Sequence, residues 1–170
     1  RSLQHSLPLI MEGFAPKFSS LPRYILDITK EIWEDRGLGP SLDKFYSDDV
    51  IVRTPMGGST GREAVLSSTM ANLAEFPDRQ LLGEDVIWSG SAEQGTLLSS
   101  HRILSTGTQL GEGWFGAASG KRVAYRVLVD CHCAADKIDD EWLVRDTGAI
   151  VRQLGFAHRE LAQAILIWWS

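Results

Sequence analysis

The sequence has few cysteines. Cys131 and Cys133 are the only two among 170 residues, and one intervening residue is too tight a spacing for an ordinary disulfide between them. A structural zinc site would need a second pair of ligands, which the chain does not supply at a suitable spacing. We therefore interpret both side chains as reduced thiols, which favours a cytoplasmic location. We expect neither a metal nor another cofactor.

Positive charge and long apolar runs are also scarce. Lysine and arginine number 17 against 22 aspartates and glutamates, so the net charge is -5. Nucleic acids and anionic membranes attract basic surfaces, and we therefore expect neither as a partner. No apolar run approaches the roughly 20 residues that cross a bilayer. The first residues lack the basic and long apolar segments of a secretory signal.

The chain does contain enough apolar material for one core, with 44% hydrophobic and 9% aromatic residues. Residues 1–20 show no sustained hydrophobic period, so we predict an irregular N-terminal arm there. The remaining residues, 21–170, are assigned to a single domain. Ser20 is expected to cap a helix over 21–35, which Gly37 ends.

A second long helix is predicted after residue 60. Thr60 and Glu63 have the spacing of a capping box, in which each side chain bonds to a free backbone N–H of the first turn. Pro77 would close this helix. Its buried stripe would comprise Leu66, Met70 and Leu73.

After residue 78 the pattern changes to extended segments separated by glycine and serine. The predicted strands are 81–88, 95–104, 111–116, 121–133 and 137–144, and the predicted closing helices are 147–154 and 157–169. Short connections make neighbouring strands antiparallel. Helices followed by such strands predict an α+β fold, in which helices cover one face of a curled antiparallel sheet. Gly111, Gly113 and Gly116 are expected to bend that sheet around a pocket.

The strand over 121–133 carries an unusual set of polar side chains. Alternation along a strand places Arg126, Asp130 and His132 on the face opposite Cys131 and Cys133. The three side chains of the triplet 131–133 therefore do not converge on a metal. We expect the cysteines on the outer face and the polar residues toward the pocket.

Trp142 and Asp146 alternate onto one face of the next strand. An aromatic surface beside a carboxylate is typical of a cavity wall, and a carboxylate shielded from water has a raised pKa that suits acid/base chemistry. Asp146 equally suits a helix cap at residue 147, which would lower its pKa. His132 equally suits a core histidine bonded to a backbone carbonyl, and His101 is an equally open candidate.

Four strings of sequence share their order with one family: 45–50 (FYSDDV), 61–65 (GREAV), the stretch from Gly111 to Val123, and 138–155, which ends in Gln-Leu-Gly. In these strings the chain resembles the nuclear transport factor 2-like superfamily, and within it the SnoaL-like polyketide cyclase branch. The resemblance spans about residues 21–162. It implies a cystatin-like cone, formed by a curled sheet wrapped by helices, with the pocket inside. It also implies a homodimer.

The resemblance implies roles for individual residues as well. In the cyclases that this chain resembles, a carboxylate shortly before the final Gln-Leu-Gly acts as acid/base in an aldol ring closure, helped by a histidine on the preceding strand. Asp146 and His132 match these two positions. Asp130 and Arg126 depart from an apolar wall and indicate a smaller or more polar ligand. Substrate contacts are expected from Trp142, Asp130, Arg126, His101, Trp114 and Trp33.

The function expected from sequence is therefore acid/base catalysis without a cofactor, in which Asp146 removes a proton next to a substrate carbonyl and His132 orients the substrate or donates to the oxyanion. A cyclase or an isomerase acting on a small carbonyl compound fits this chemistry. The alternative is a non-catalytic ligand-binding or dimerisation module of the same fold, since one fold hosts many functions. In that alternative Asp146 is a helix cap and His132 a structural residue.

Overall fold

The computed structural model describes residues 11–91 and 94–168. The helices are α1 (Leu21–Thr29), α2 (Pro40–Phe45), α3 (Arg62–Glu75), α4 (Thr147–Leu154) and α5 (His158–Trp168), with a π-helical turn at Lys30–Glu34. The strands are β1 (Tyr46–Thr54), β2 (Gly57–Thr60), β3 (Gln80–Ser91), β4 (Thr96–Thr108), β5 (Arg122–Ala134) and β6 (Lys137–Arg145). This arrangement confirms the α+β class.

The described strands form one six-stranded sheet in the order β2-β1-β6-β5-β4-β3. The neighbours β3–β4, β4–β5 and β5–β6 pair antiparallel. Short connections predicted this direction for β3–β4 and β5–β6, whereas the longer segment 109–121 joins β4 to β5. β1 instead runs parallel to β6. About half of the chain separates these two strands, so no turn between them indicates their direction. The sheet is therefore antiparallel except for the β1–β6 pair.

Local rules account well for the ends of α1 and α4. The Ser20 hydroxyl caps α1 by accepting the Arg23 N–H at 3.4 Å. The predicted single helix over 21–35 changes after Thr29 to a π-helical turn and ends before Gly37. α4 has the bounds expected from sequence, and Gly155 ends it with a left-handed φ of 91° that glycine adopts without strain.

Three predictions for the middle of the chain are wrong. The residue at the N-cap position of α3 is Gly61, and no side chain forms a capping hydrogen bond there. Thr60 and Glu63 therefore form no capping box. Met70 is 52% exposed, and the buried residues of α3 are Val65, Thr69 and Glu75. The segment 111–116 is a loop, because the Glu75 carboxylate accepts backbone N–H groups of this loop and holds it against the end of α3. The register shifts of the sheet lie elsewhere, in β1, in β3 and between β5 and β6.

The core lies between the helices and the inner face of the sheet. Alternate residues of β5 point into it, including Cys131 and Cys133, which are buried as free thiols. The prediction that the cysteines face outward is therefore wrong, and His132 lies on the outer face instead. From the N-terminal arm, Phe14 and Phe18 pack edge-on against Tyr24 at ring-centre distances of 4.9 and 5.0 Å.

Candidate functional site

The inner face of β4 carries an unusual series of polar side chains. The alternating positions on that face are held by Ser99, His101, Ile103 and Ser105, and all four are buried. The Ser99 Oγ, His101 Nε2 and Ser105 Oγ atoms have no hydrogen-bond partner in the protein. Buried polar atoms are nearly always paired, because leaving one unpaired costs about 1–3 kcal/mol. A wall with three such atoms is suited to contact a polar ligand.

Glu141 faces the same interior from β6. The cross-strand register aligns it with Cys131 on β5 and, through Cys131, with Ser99 on β4. Its side chain is only 6% exposed, and the Tyr46 hydroxyl donates to its Oε2 at 2.7 Å. Burial raises the pKa of the Glu141 carboxyl above its ordinary value, and the Tyr46 hydrogen bond and the charge of Arg145 oppose this only in part.

His101 is the neutral partner on this face. Burial lowers the pKa of His101 to about 4, so the imidazole is uncharged at neutral pH. The ring lies over Gly83 of β3, where a Cβ would come within 3.0 Å of Nε2 and within 2.5 Å of a Leu26 methyl group. Glycine at this position therefore leaves the room that the imidazole occupies.

Glu141 on β6 aligns with Ser99, two strands away on β4, and His101 lies two residues beyond Ser99. On a regular sheet this offset corresponds to about 12 Å between the Cα atoms of Glu141 and His101. A carboxyl group with a raised pKa can donate a proton when protonated and is a strong base when ionised. A neutral imidazole can donate a hydrogen bond to a developing oxyanion. The inner face therefore holds one group of the type that moves a proton and one of the type that stabilises negative charge.

The two predicted catalytic residues lie at different places. Asp146 is exposed and caps α4, where its Oδ1 accepts the Ala149 N–H at 2.8 Å. His132 lies on the outer face, with Nδ1 at 2.6 Å from Asp139 Oδ1. The Asp146 N–H bonds to the carbonyl of Arg126, six residues along β5 from His132. That separation is about 20 Å along a strand, so the structure does not bring Asp146 and His132 together.

Three other predicted site residues share the outer face with His132. Trp142, 54% exposed, and Asp130 line a groove of about 780 Å³ there together with His132. Arg126 lies farther along this face and forms two hydrogen bonds with Glu84, at 2.9 and 3.0 Å. The expectation that these side chains turn toward the interior of the fold is wrong. Cys131 and Cys133 point inward, and the alternating positions of the sheet therefore point outward.

The remaining predicted residues are dispersed. Trp33 is half-buried, 6.4 Å from the Tyr46 ring, and Trp114 is exposed on the loop after β4. Of the eight predicted site residues, His101 is buried on the inner face of the sheet beside Ser99 and Ser105. Sequence reasoning missed Glu141, although its position directly before Trp142 in an alternating strand assigns the two to opposite faces.

The described residues contain no group of three or more His, Cys, Asp or Glu side chains placed to hold a metal ion. Within the same residues, no helix is long and apolar enough to cross a membrane.

Comparison with known proteins gives a consistent picture. The family model for SnoaL-like polyketide cyclases matches residues 24–154. The fold is similar to AclR from Streptomyces galilaeus, with a TM-score of 0.65 and 19% identity over 79% of this chain and 94% of that chain. It is also similar to IdmH from Streptomyces antibioticus, with a TM-score of 0.63 and 20% identity over 76% and 97% of the two chains.

A SnoaL-like polyketide cyclase from Agrobacterium tumefaciens strain C58 has a TM-score of 0.59 and 21% identity, over 81% of this chain and all (100%) of that chain. Identities in this range indicate a shared fold. A search of curated proteins finds no match.

Proposed function

Because the chain belongs to the SnoaL-like polyketide cyclase family, we propose that it catalyses acid/base chemistry on a small carbonyl compound, as a cyclase or an isomerase that needs no cofactor. The observation that carries this proposal is the inner face of the sheet. There a buried carboxyl with a raised pKa, Glu141, faces the same interior as three polar atoms of β4 that have no protein partner. Active sites are where such perturbed groups cluster.

In the proposed reaction, the ionised Glu141 carboxylate takes a proton from the carbon next to a substrate carbonyl. The electron pair of the broken C–H bond forms an enolate, whose oxygen accepts a hydrogen bond from His101. In an isomerase, Glu141 returns the proton to another carbon. In a cyclase, the enolate carbon forms a bond to a second carbonyl carbon, and Glu141 returns the proton to the resulting alkoxide. Tyr46 keeps the Glu141 carboxyl in one orientation through the 2.7 Å hydrogen bond.

The test is the exchange of the C2 methylene protons of benzoylacetone, a 1,3-diketone, into D2O. We expect the protein to raise this rate above that of buffer, and Glu141→Gln to lower the protein-dependent rate by at least about 100-fold, the usual range for loss of a positioned base. Glu112→Gln, which removes an exposed carboxylate, is the matched control and should leave the rate unchanged. Equal rates for the Glu141 variant and the control would overturn the proposal.

A non-catalytic module of the same fold is the second candidate, and the cap formed by Asp146 favours it. The Asp146 Oδ1 atom already bonds to the Ala149 N–H at 2.8 Å, which accounts for this carboxylate by helix stability alone. In this case the diketone would bind, as shown by saturable changes in tryptophan fluorescence, without any protein-dependent exchange. That result would favour the binding module over the enzyme.

We also propose that a second copy of the chain covers the outer face of the sheet. Five large apolar side chains are exposed on this face: Ile87, Leu98, Leu128, Trp142 and Val144. Contiguous exposed apolar surface on a small domain is typical of an interaction site. Arg102 and Arg126 flank Glu84 on the same face, so it carries both signs of charge and can complement itself in a two-fold dimer.

A cytoplasmic location remains part of the proposal. Cys131 and Cys133 are both free and buried, and burial raises the pKa of Cys133 to about 12. Thiols that are protonated and shielded react slowly. This supports a protein that keeps its cysteines reduced.

A further inference from the structure

Arg79, in the turn between α3 and β3, is a buried cation with an incomplete set of partners. Its side chain is 6% exposed. Nη1 donates to the Asn72 Oδ1 atom at 2.6 Å, whereas Nε has no hydrogen-bond partner in the protein. A buried guanidinium is normally paired with a carboxylate, and among the described residues no carboxylate forms an ion pair with Arg79.

The surroundings of Arg79 are positive. Arg36 and Arg145 both lower the pKa of the Arg79 guanidinium, although desolvation is the larger cause, and the resulting value of about 10 leaves it charged at neutral pH. Arg36 also donates to the Arg79 carbonyl at 2.8 Å, which fixes the turn in place. Arg36, Arg79 and Arg145 thus form a local concentration of positive charge in a chain whose net charge is -5.

Two hydroxyl-bearing residues lie on the part of the sheet over which the Arg79 turn packs. The Arg79 Cα atom packs over Gly107 of β4, where a Cβ would come within 3.5 Å of it. Ser105 precedes Gly107 on the same face and is paired across the strands with Tyr125. The Ser105 Oγ atom is buried without a partner, and Tyr125 interacts electrostatically with Arg79. Arg79 therefore packs over the part of the inner face that carries the side chains of Ser105 and Tyr125.

We propose that Arg79, Tyr125 and Ser105 bind the carboxylate group of a small ligand. An anion supplies the negative charge that the guanidinium lacks, and its oxygens accept hydrogen bonds from Nε and from both hydroxyls. Tyr125 lies six residues along β5 from Cys131, the cross-strand partner of Glu141, which is about 20 Å on a strand. This site is therefore separate from the candidate catalytic carboxyl, and its ligand class is a small organic carboxylate.

The probe is sodium benzoate, with neutral benzamide of the same shape and inorganic phosphate as separate arms. For a millimolar Kd, we expect 20 mM benzoate to raise the thermal midpoint of the full chain by roughly 5 °C, and benzamide to leave it unchanged. Arg79→Gln should abolish the benzoate shift. Arg159→Gln, which removes an exposed arginine of α5, should keep it. A shift that persists in Arg79→Gln, or no shift in the wild type, would overturn the inference.

Two further results decide the remaining cases. If Arg79→Gln does not fold, Tyr125→Phe and Ser105→Ala serve instead, since each removes one hydroxyl at nearly constant volume. We expect each to reduce the benzoate shift by half or more, and unchanged shifts in both would contradict the inference. An Arg79-dependent shift with phosphate but not benzoate would overturn the assignment to a carboxylate. Loss of diketone exchange in Glu141→Gln without any benzoate shift would leave the proposed function standing and remove only this site.

Discussion

Glu141 and His101 are both driven toward their neutral forms by the same cause, burial on the inner face of the sheet. The direction differs because one group is an acid and the other a base: the pKa of Glu141 rises and the pKa of His101 falls. A protonated carboxyl and an uncharged imidazole can both be buried without an ion pair. Two residues of opposite type are thereby prepared for proton transfer and hydrogen bonding in one apolar setting.

The pKa of His101 predicts a component of acid sensitivity. The value of about 4 in the folded protein lies below the roughly 6.5 of an unfolded histidine, so the unfolded chain binds the proton more tightly. The stability from neutral His101 is complete above pH 6.5 and is lost as the pH falls through 4. We expect His101→Gln to reduce the loss of unfolding free energy between pH 7 and pH 4 by up to about 3 kcal/mol.

Chemical denaturation of the wild type and His101→Gln at both pH values measures this difference. His158→Gln, which replaces an exposed histidine, is the matched control. An equal loss of stability in His101→Gln and in the wild type would contradict the assignment of a buried, neutral imidazole.

Single residues also show where sequence reasoning ends. Alternation correctly separated His132 from its two cysteine neighbours, but period-two alternation says only that two faces differ, not which of them is inner. The cysteines lie inside because small apolar thiols pack well against Tyr24 and Leu97 in the core. Choosing the face with more polar residues as the pocket therefore selected the outer face of the sheet.

At the scale of elements, helix ends were predictable where a single side chain determines them. Ser20 and Gly155 act through contacts within a few residues. The cap at Ser20 and the bounds of α4 before Gly155 were both predicted from sequence. The capping box at Thr60 failed because Gly61 takes a left-handed φ of 91° and donates its N–H to the Val50 carbonyl at 2.8 Å. That contact comes from Val50 in β1, eleven residues earlier, and no local motif reveals it.

The cap at Asp146 gives a prediction for α4. Asp146→Ala removes the acceptor of the Ala149 N–H, and loss of such a cap costs about 1 kcal/mol. Asp146→Asn keeps an acceptor oxygen and should cost only a few tenths of that. Thermal unfolding should therefore rank the wild type and the Asn variant close together, with the Ala variant lower by about 3 °C. Equal midpoints for the Asn and Ala variants would contradict the cap.

At the scale of the whole molecule, the fold class followed from the order of elements, whereas the completed sheet did not. β1 joins β6 through a parallel pairing between residues about ninety positions apart, such as Val52 and Glu141. Local propensity carries no information on such a pairing. This pairing lies beside Glu141, so the environment of the candidate catalytic carboxyl is determined by a contact that sequence periodicity does not reveal.

The exposed outer face predicts the oligomeric state. If a second copy covers it, the mass by light scattering should be twice the 18.8 kDa of one chain. Leu128→Asp introduces a charge at the centre of this face and should produce a monomer, because burying an unpaired carboxylate in an interface is unfavourable. Met70→Asp, at an equally exposed apolar site on α3, should remain a dimer. A wild-type monomer would contradict the proposal.

The central claim is that the buried Glu141, rather than the exposed Asp146, carries the proton transfer. The most direct measurement compares the rate of benzoylacetone proton exchange in Glu141→Gln and in Asp146→Asn, with both variants shown to be folded. We predict a loss of at least about 100-fold in the first and a change of less than about two-fold in the second. The reverse result, with activity lost in Asp146→Asn and kept in Glu141→Gln, would contradict the account.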